Sequence, residues 1–206
     1  MNVYFVRHGE TTANYNWIHQ NAKTELSENG RKQAQFLANR LKKINLDLIV
    51  TSTFERTKDT ANIIKNEINK PLISSDLFIE IKRPSEVEGL RYDDPKVVKI
   101  RNKIILNFHE PSFRHSDEES FYDLSDRSKK ALTYLEELKE ANILVVTHGD
   151  FIRCLLGQIL FGNKFDSHDF LNIKEKFSLN NTAITLCEYK DKQWRVITWN
   201  DHAHLG

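Results

Sequence analysis

Asn2-Val3-Tyr4-Phe5-Val6-Arg7-His8-Gly9-Glu10-Thr11 decides how the rest of the 206-residue chain is read. Val3 to Val6 is a short unbroken apolar run, the pattern of a strand buried on both faces of a parallel sheet. It breaks at once into Arg7-His8-Gly9, with no turn sequence between apolar and charged residues. In open α/β sheets ligands bind beyond the carboxyl ends of the strands, so the residues that follow each apolar run are the first candidates for a site.

Working outward, Ser27 precedes Ala34, Leu37, Ala38, Leu41 and Ile44 at three- and four-residue steps, which predicts a helix capped by that serine. Leu46 to Val50 reads as a second strand. Glu55 to Ile68 places Ala61, Ile64 and Ile68 on one helical face before Asn69-Lys70-Pro71 ends it. Leu72 to Ile81 reads as a third strand. Residues 82–117 carry a looser pattern in which Pro84, Pro95 and Pro111 frame one helix, Val97 to Phe108, and this segment reads as an inserted helical cap within a single domain spanning residues 1–206. Phe121, Leu124, Leu132, Leu135 and Leu138 mark a long amphipathic helix leading to Ile143-Leu144-Val145-Val146, a fourth strand. Phe151 to Phe161 is a further, mostly buried helix. Thr182 to Tyr189 and Trp194 to Trp199 flank Lys190-Asp191-Lys192-Gln193 and predict a hairpin at one edge of the sheet. Strands alternating with helices predict an α/β fold, a three-layer α/β/α sandwich with a mainly parallel central sheet.

Composition narrows the function. Hydrophobic residues make up 39% of the chain and charged residues 29%, enough apolar material for a core. Thirty Lys+Arg against twenty-nine Asp+Glu leave a net charge of +1, so no global field draws the chain to nucleic acid or to an anionic membrane. Any anion site is therefore local. Two widely spaced cysteines, Cys154 and Cys187, suggest neither a disulfide framework nor a zinc site, and a reducing, cytoplasmic setting fits. The chain opens directly on a strand pattern with no secretion signal in view. The apolar stretch Phe151 to Phe161 is about half the ~20 residues a membrane span requires. The sequon Asn180-Asn181-Thr182 is accordingly read as idle.

The strand ends carry consistent chemistry. The first ends in Arg7-His8-Gly9-Glu10-Thr11, the second in Thr51-Ser52 with Arg56-Thr57 a turn later, the third near Glu80, and the fourth in Thr147-His148-Gly149. Two histidines, two arginines and a carboxylate thus converge on one sheet edge. Guanidinium forks match phosphate oxygens bidentately, and the glycine after each histidine suits a bound group that sits against main-chain N–H donors. A phosphate monoester is the expected ligand. With an unperturbed pKa of ~6.5, one imidazole can be neutral and nucleophilic when cationic neighbours favour that state. Its attack on phosphorus gives phosphohistidine, and a carboxylic acid such as Glu80 can protonate the departing alkoxide. Arg7, Arg56 and the other histidine meet the charge on the transferring group, so neither a metal nor an organic cofactor is expected.

These residues resemble the histidine phosphatase superfamily, the phosphoglycerate mutase-like proteins. Val6-Arg7-His8-Gly9-Glu10-Thr11 matches that family's opening signature, and Asn14 falls where members carry a phosphate-contacting asparagine. Leu26-Ser27-Glu28-Asn29-Gly30-Arg31-Lys32-Gln33-Ala34, the segment from Ser52 to Ala61, Glu119-Ser120-Phe121 with Arg127, His148-Gly149, and Asn181 before the last hairpin also fit. The likeness implies that His8 is the phosphorylated nucleophile, that Arg7, Arg56 and His148 complete the phosphate pocket with Asn14, Thr11 and Gly149 beside them, and that Glu80 is the proton donor. The pattern after Glu80 is irregular, and Glu86 or Glu88 is an alternative acid. An activity of the histidine acid phosphatase type on a small phosphorylated substrate, with a phosphoprotein still open, is expected. Mutase-type phosphotransfer is the alternative, disfavoured by the lack of the longer insert of true mutases; a weakly active phospho-ligand module is a further one.

Other features read as structural. Cys154 has Leu160 where a cysteine phosphatase needs arginine, so buried packing explains it. Gly157 to Lys164 imitates a phosphate-binding loop, but Asn163 separates glycine from lysine. His202 and His204 read as a solvated tail, and His115, with Arg114 and Asp117, as solvated residues of the insertion.

Overall fold

The computed structural model describes residues 1–206. The chain runs from β1 (Asn2–Arg7) through a one-turn helix, α1 (Thr12–Tyr15), to α2 (Glu28–Leu41), β2 (Leu48–Thr51), α3 (Glu55–Ile68) and β3 (Leu72–Ser74). Then come α4 (Pro95–Leu106), α5 (Phe121–Glu136), β4 (Asn142–Thr147), α6 (Gly149–Phe161), α7 (Ser167–Lys176), β5 (Ile184–Lys190) and β6 (Gln193–Asp201). The strands form one sheet in the order β3-β2-β4-β1-β5-β6, parallel from β3 to β1 and antiparallel through β5 and β6. No helix is long and apolar enough to cross a membrane.

The period of two along each strand divides the core. Phe5, Val50, Ile143 and Val145 face Leu124, Leu135, Phe151, Leu155 and Phe170 of α5, α6 and α7. Val6, Ile49, Leu144 and Val146 face Leu37, Ala38 and Leu41 of α2 and Ala61 and Ile64 of α3. The result is the three-layer arrangement that alternating strands and helices predict. Ends follow local chemistry: Ser27 Oγ accepts from Gly30 N–H at 3.0 Å to cap α2, and Asn69, at φ 50°, closes α3 in the left-handed conformation. Asp191 and Lys192, at φ 52° and 60°, form the two-residue turn of the edge hairpin.

Register positions the site. Arg7 pairs with Thr147 and Thr51 with Val146, so β1, β2 and β4 end side by side, and Arg7-His8, Ser52 and His148 emerge together.

Three expectations need correction. The third strand stops at Ser74 rather than Ile81: Ser75 Oγ accepts from Leu77 N–H, and residues 76–78 turn as a short 3-10 segment. This turn drives Phe78 beneath the sheet against Tyr134 and Phe151, so Glu80 follows a loop and not a strand. The helix of segment 82–117 starts at Pro95, because Asp94 caps it and proline suits a first turn. The carboxyl-terminal histidines are not a solvated tail. Arg40 of α2 pairs with Asp201, and Thr182 Oγ1 lies 3.1 Å from His204 Nε2, whose ring is half-buried. Helix α7 carries no sequence expectation, since only Ser167, Phe170 and Ile173 of its ten residues are buried.

Candidate active site

His8 extends the ladder of β1, its N–H donating to Thr147 O at 2.9 Å, and its side chain is buried. Its Nδ1 lies 2.7 Å from the Gly9 carbonyl oxygen. A carbonyl only accepts, so this contact places the proton on Nδ1 and leaves the lone pair on Nε2. Arg56 Nε donates toward that lone pair at 3.2 Å, and Arg56 Nη1 donates to the Asn21 carbonyl at 2.9 Å. Asn181 Nδ2 donates to the His8 carbonyl at 2.9 Å, which gives the residue inside the sequon a structural task. Burial first, then the positive charges of Arg56 and Arg7, push the His8 pKa well below its ordinary value. The ring is neutral at pH 7.

Arg7 is anchored by Nη1 to the Leu179 carbonyl at 2.6 Å, while its buried Nε has no protein partner. Burial lowers the pKa of both guanidiniums, Arg56 to about 10, with the Glu80 carboxylate opposing the shift in each. Both stay charged at neutral pH.

His148 is wholly buried behind His8, with ring centroids 5.3 Å apart and edge to face, and it does not form part of the cavity wall. Ser52 Oγ lies 2.8 Å from His148 Nε2 and also accepts from Phe54 N–H at 3.3 Å. Its hydroxyl hydrogen is therefore best directed at Nε2, which leaves Nδ1 protonated, buried and without a protein partner. Burial, then Arg56 and His8, push the His148 pKa well down too.

Glu80 takes up the loop after the 3-10 segment. Its Oε1 accepts from Phe151 N–H and Ile81 N–H, both at 3.0 Å, and Oε2 from Asp150 N–H at 3.2 Å, so the carboxylate sits on the amino terminus of α6. Arg127 holds this loop from behind: Nη1 donates to the Ile79 carbonyl at 2.7 Å and to that of Leu77 at 3.2 Å. Glu119 grips Arg127 in a bidentate pair at 2.8 and 2.7 Å and accepts from Lys82 N–H at 2.9 Å.

A cavity of about 490 Å³ brings together Arg7, His8, Asn14, Arg56, Glu80 and Gly149. Glu88 also reaches it, whereas Glu86 is outside, bound to Lys96 and His115. Thr11 is not in the wall either: its Oγ1 accepts from Asn14 N–H at 3.0 Å and its N–H donates to Asn14 Oδ1 at 3.2 Å, a capping box for α1. Asn14 keeps its amide NH₂ for the cavity. The glycine reading divides. Gly149 faces Arg7, but Gly9 N–H is taken by Thr60 Oγ1 at 3.1 Å, and a Cβ on Gly9 would lie 2.5 Å from the Gly30 carbonyl oxygen. Gly9 serves the contact with α2 and not the ligand. His19, Gln20, Tyr92 and Arg153 also line the cavity and were not singled out by sequence. They come from loops or from the far side of a helix, where no periodicity points at a site, although Gln20 Oε1 is buried without a partner.

Cys154 is buried, its thiol pushed up to about 12 by burial, and it packs near Ser128 instead of the cavity. Gly157 lies inside α6, where a Cβ would meet the Phe165 ring at 2.1 Å, so this glycine makes room for an aromatic ring and does not cradle phosphate.

Known proteins resemble this chain over its length. The chain is 28% identical over 207 residues to "Uncharacterized phosphatase PhoE" of Bacillus subtilis, covering 99% of this chain and 96% of that protein. It is 27% identical over 223 residues to "Probable phosphoglycerate mutase GpmB" of Escherichia fergusonii, covering 100% and 95%. Among solved structures, Bacillus stearothermophilus YhfR superposes with a TM-score of 0.82 at 24% identity, covering 100% of this chain and 99% of that one, which shows the shared fold. The family model of the histidine phosphatase superfamily (branch 1) matches residues 3–202, and with that match over nearly its whole length the chain belongs to the superfamily.

Proposed function

We propose that this protein hydrolyses phosphate monoesters in two steps through a phosphohistidine on His8. The observation that carries the reading is the Nε2 lone pair of a neutral imidazole, set between two buried guanidiniums. In the first step Nε2 forms a bond to phosphorus as the bond from phosphorus to the ester oxygen breaks. Arg56, already within 3.2 Å of Nε2, passes its donors to the phosphoryl oxygens, joined by the free Nε of Arg7, while His148 backs the His8 ring from behind, edge to face. Glu80, entering the step as the protonated acid, gives its proton to the leaving alkoxide through Oε2, which has only one main-chain partner. In the second step water attacks phosphorus, its proton passes to Glu80, and the N–P bond breaks to restore neutral His8 and release phosphate.

Fixed protein cations supply the charge stabilisation in this scheme, a metal-independent route of the histidine acid phosphatase type. No group of three or more His, Cys, Asp or Glu side chains is assembled as a metal nest. The two free, buried cysteines support a reducing, cytoplasmic setting. A histidine-to-alanine mutant of phosphoserine phosphatase from Entamoeba histolytica, solved in complex with phosphoserine, has the same fold with a TM-score of 0.79, which supports a small phosphorylated substrate. The mutase reading is favoured by the name of the GpmB relative. The test is phosphate release from ethyl phosphate, with chelator present, by wild type and His8→Ala. Release that is lost in His8→Ala supports hydrolysis. Interconversion of phosphoglycerates without release of phosphate supports the mutase reading instead.

A further inference from the structure

A second cavity of about 570 Å³ adjoins the first and shares His19, Arg83, Val87 and Tyr92 with it. Its chemistry is different. Val97, Ile100 and Ile104 of α4 line it together with Phe108 just beyond that helix, and Phe170 and Leu171 of α7 line it as well. Segment 82–117 therefore supplies one side of this chamber and α7 the opposite side. The segment is also tied to the first loop of the molecule. His19 N–H donates to the Leu90 carbonyl and Tyr92 N–H to that of Trp17, both at 2.9 Å, and Gly89 N–H donates to the His19 carbonyl at 3.0 Å. These bonds fix His19 and Tyr92, whose rings lie 4.0 Å apart, at the junction of the two chambers.

From these observations we infer that the substrate is the phosphate monoester of an alcohol with a large apolar body, and that this body occupies the second chamber. The inference rests on the hydrolytic reading of the His8 site. Continuity identifies the occupant. The phosphoryl group is held by Arg7, His8 and Arg56, and the leaving oxygen must face Glu80. Three residues further on, Arg83 already belongs to both chambers, so an alcohol leaving past Glu80 enters the apolar one. A benzene molecule fills a cavity of ~150 Å³, so the chamber has room for nearly four such groups, about 3.8 by volume. His19 Nε2 is buried at the junction without a protein partner and marks where one polar atom of the alcohol would be met. Burial, with Arg83, Lys174 and Arg101 nearby, lowers the His19 pKa to about 4, so at neutral pH it meets that atom as an uncharged group.

The experiment compares kcat/KM for n-octyl phosphate and ethyl phosphate, whose leaving alcohols are of similar acidity. Each methylene buried in an apolar site is worth about fourfold, so octyl phosphate should be favoured by at least about tenfold even if the chain is only partly enclosed. Ile104→Trp fills the chamber and should remove about tenfold of the octyl value while leaving the ethyl value within about twofold. Leu171→Gln, on the opposite wall, should act in the same direction, and retained ethyl phosphate turnover shows that either variant is folded. Equal kcat/KM for the two esters in wild type would overturn the inference, as would variants that lower both esters alike. If neither ester is turned over, the hydrolytic reading fails first. Calorimetry of both esters with His8→Ala then still reads the chamber: tighter binding of octyl phosphate supports it, and equal binding contradicts it.

Discussion

In the proposed mechanism His8 can attack phosphorus only while Nε2 is unprotonated and correctly aimed, and separate contacts secure each condition. The Gly9 carbonyl fixes the tautomer, and burial beside Arg56 and Arg7 keeps a second proton off the ring. The pKa is lowered, so the neutral form persists below the ordinary histidine value of ~6.5. The acid limb of kcat/KM, corrected for the substrate's own ionisation near pH ~6, should therefore lie below pH ~6.5. A limb at the ordinary value would contradict the burial argument. Ser52 should matter through His148. Ser52→Ala removes the hydroxyl that sets the His148 tautomer and should lower kcat by about tenfold with little change in KM. Such residues were legible from sequence because each follows an apolar run directly. Thr11 and Gly9 misled for a local reason: a side chain or N–H that caps a helix or meets a neighbouring hydroxyl is spent, and no residue type announces that.

At the scale of elements, the loop bearing Glu80 owes its position to α5, since Arg127 binds its carbonyls and Glu119 grips both Arg127 and Lys82 N–H. Arg127→Met should release the acid without touching the phosphate pocket. Turnover of an alkyl phosphate should fall by more than about tenfold, whereas an aryl phosphate with a good leaving group should lose far less. Equal losses on both would show a structural effect alone. The junction of β1 with α2 is equally exacting. A Cβ on Gly30 would lie 1.9 Å from the Glu10 carbonyl oxygen, so Gly30→Ala should cost roughly 3 kcal/mol or more, measurable by denaturant unfolding. Long amphipathic helices and the parallel strands β1, β2 and β4 could be read because their periods repeat over several turns or fill both faces. The third strand could not be bounded, because Leu77-Phe78-Ile79 resumes the apolar pattern of Leu72-Ile73 although the chain has already turned at Ser75 to bury Phe78. Helix α7 shows too narrow an apolar face to register, although its Lys174 reaches Asp150 beside the cavity.

Across the whole molecule, four histidines have folded-state pKa values below the ordinary one: His8 and His148 well below, His19 and His204 at about 4. In the unfolded chain all four bind protons as the pH falls through ~6.5, while the folded chain resists, so stability declines from there toward pH ~4. The depressed carboxylates Asp117 and Asp201, at about 2, add a loss only below their unfolded value of ~3.9, outside that window. Thermal midpoints should drop steadily between pH 6.5 and 4.5, and a flat profile would show that these rings are not held neutral. The overall architecture was legible because apolar runs separated by amphipathic helices pair in parallel at the centre of the sheet. The second chamber was not, since it forms between segment 82–117 and a helix far from it in sequence. The most direct test of the account is to quench the enzyme during turnover of a ³²P-labelled monoester and map the label. The account predicts a phosphoryl group on the peptide containing His8, stable in base, labile in acid and absent from His8→Ala. Turnover without any protein-bound phosphate, or a label on another residue, would contradict it.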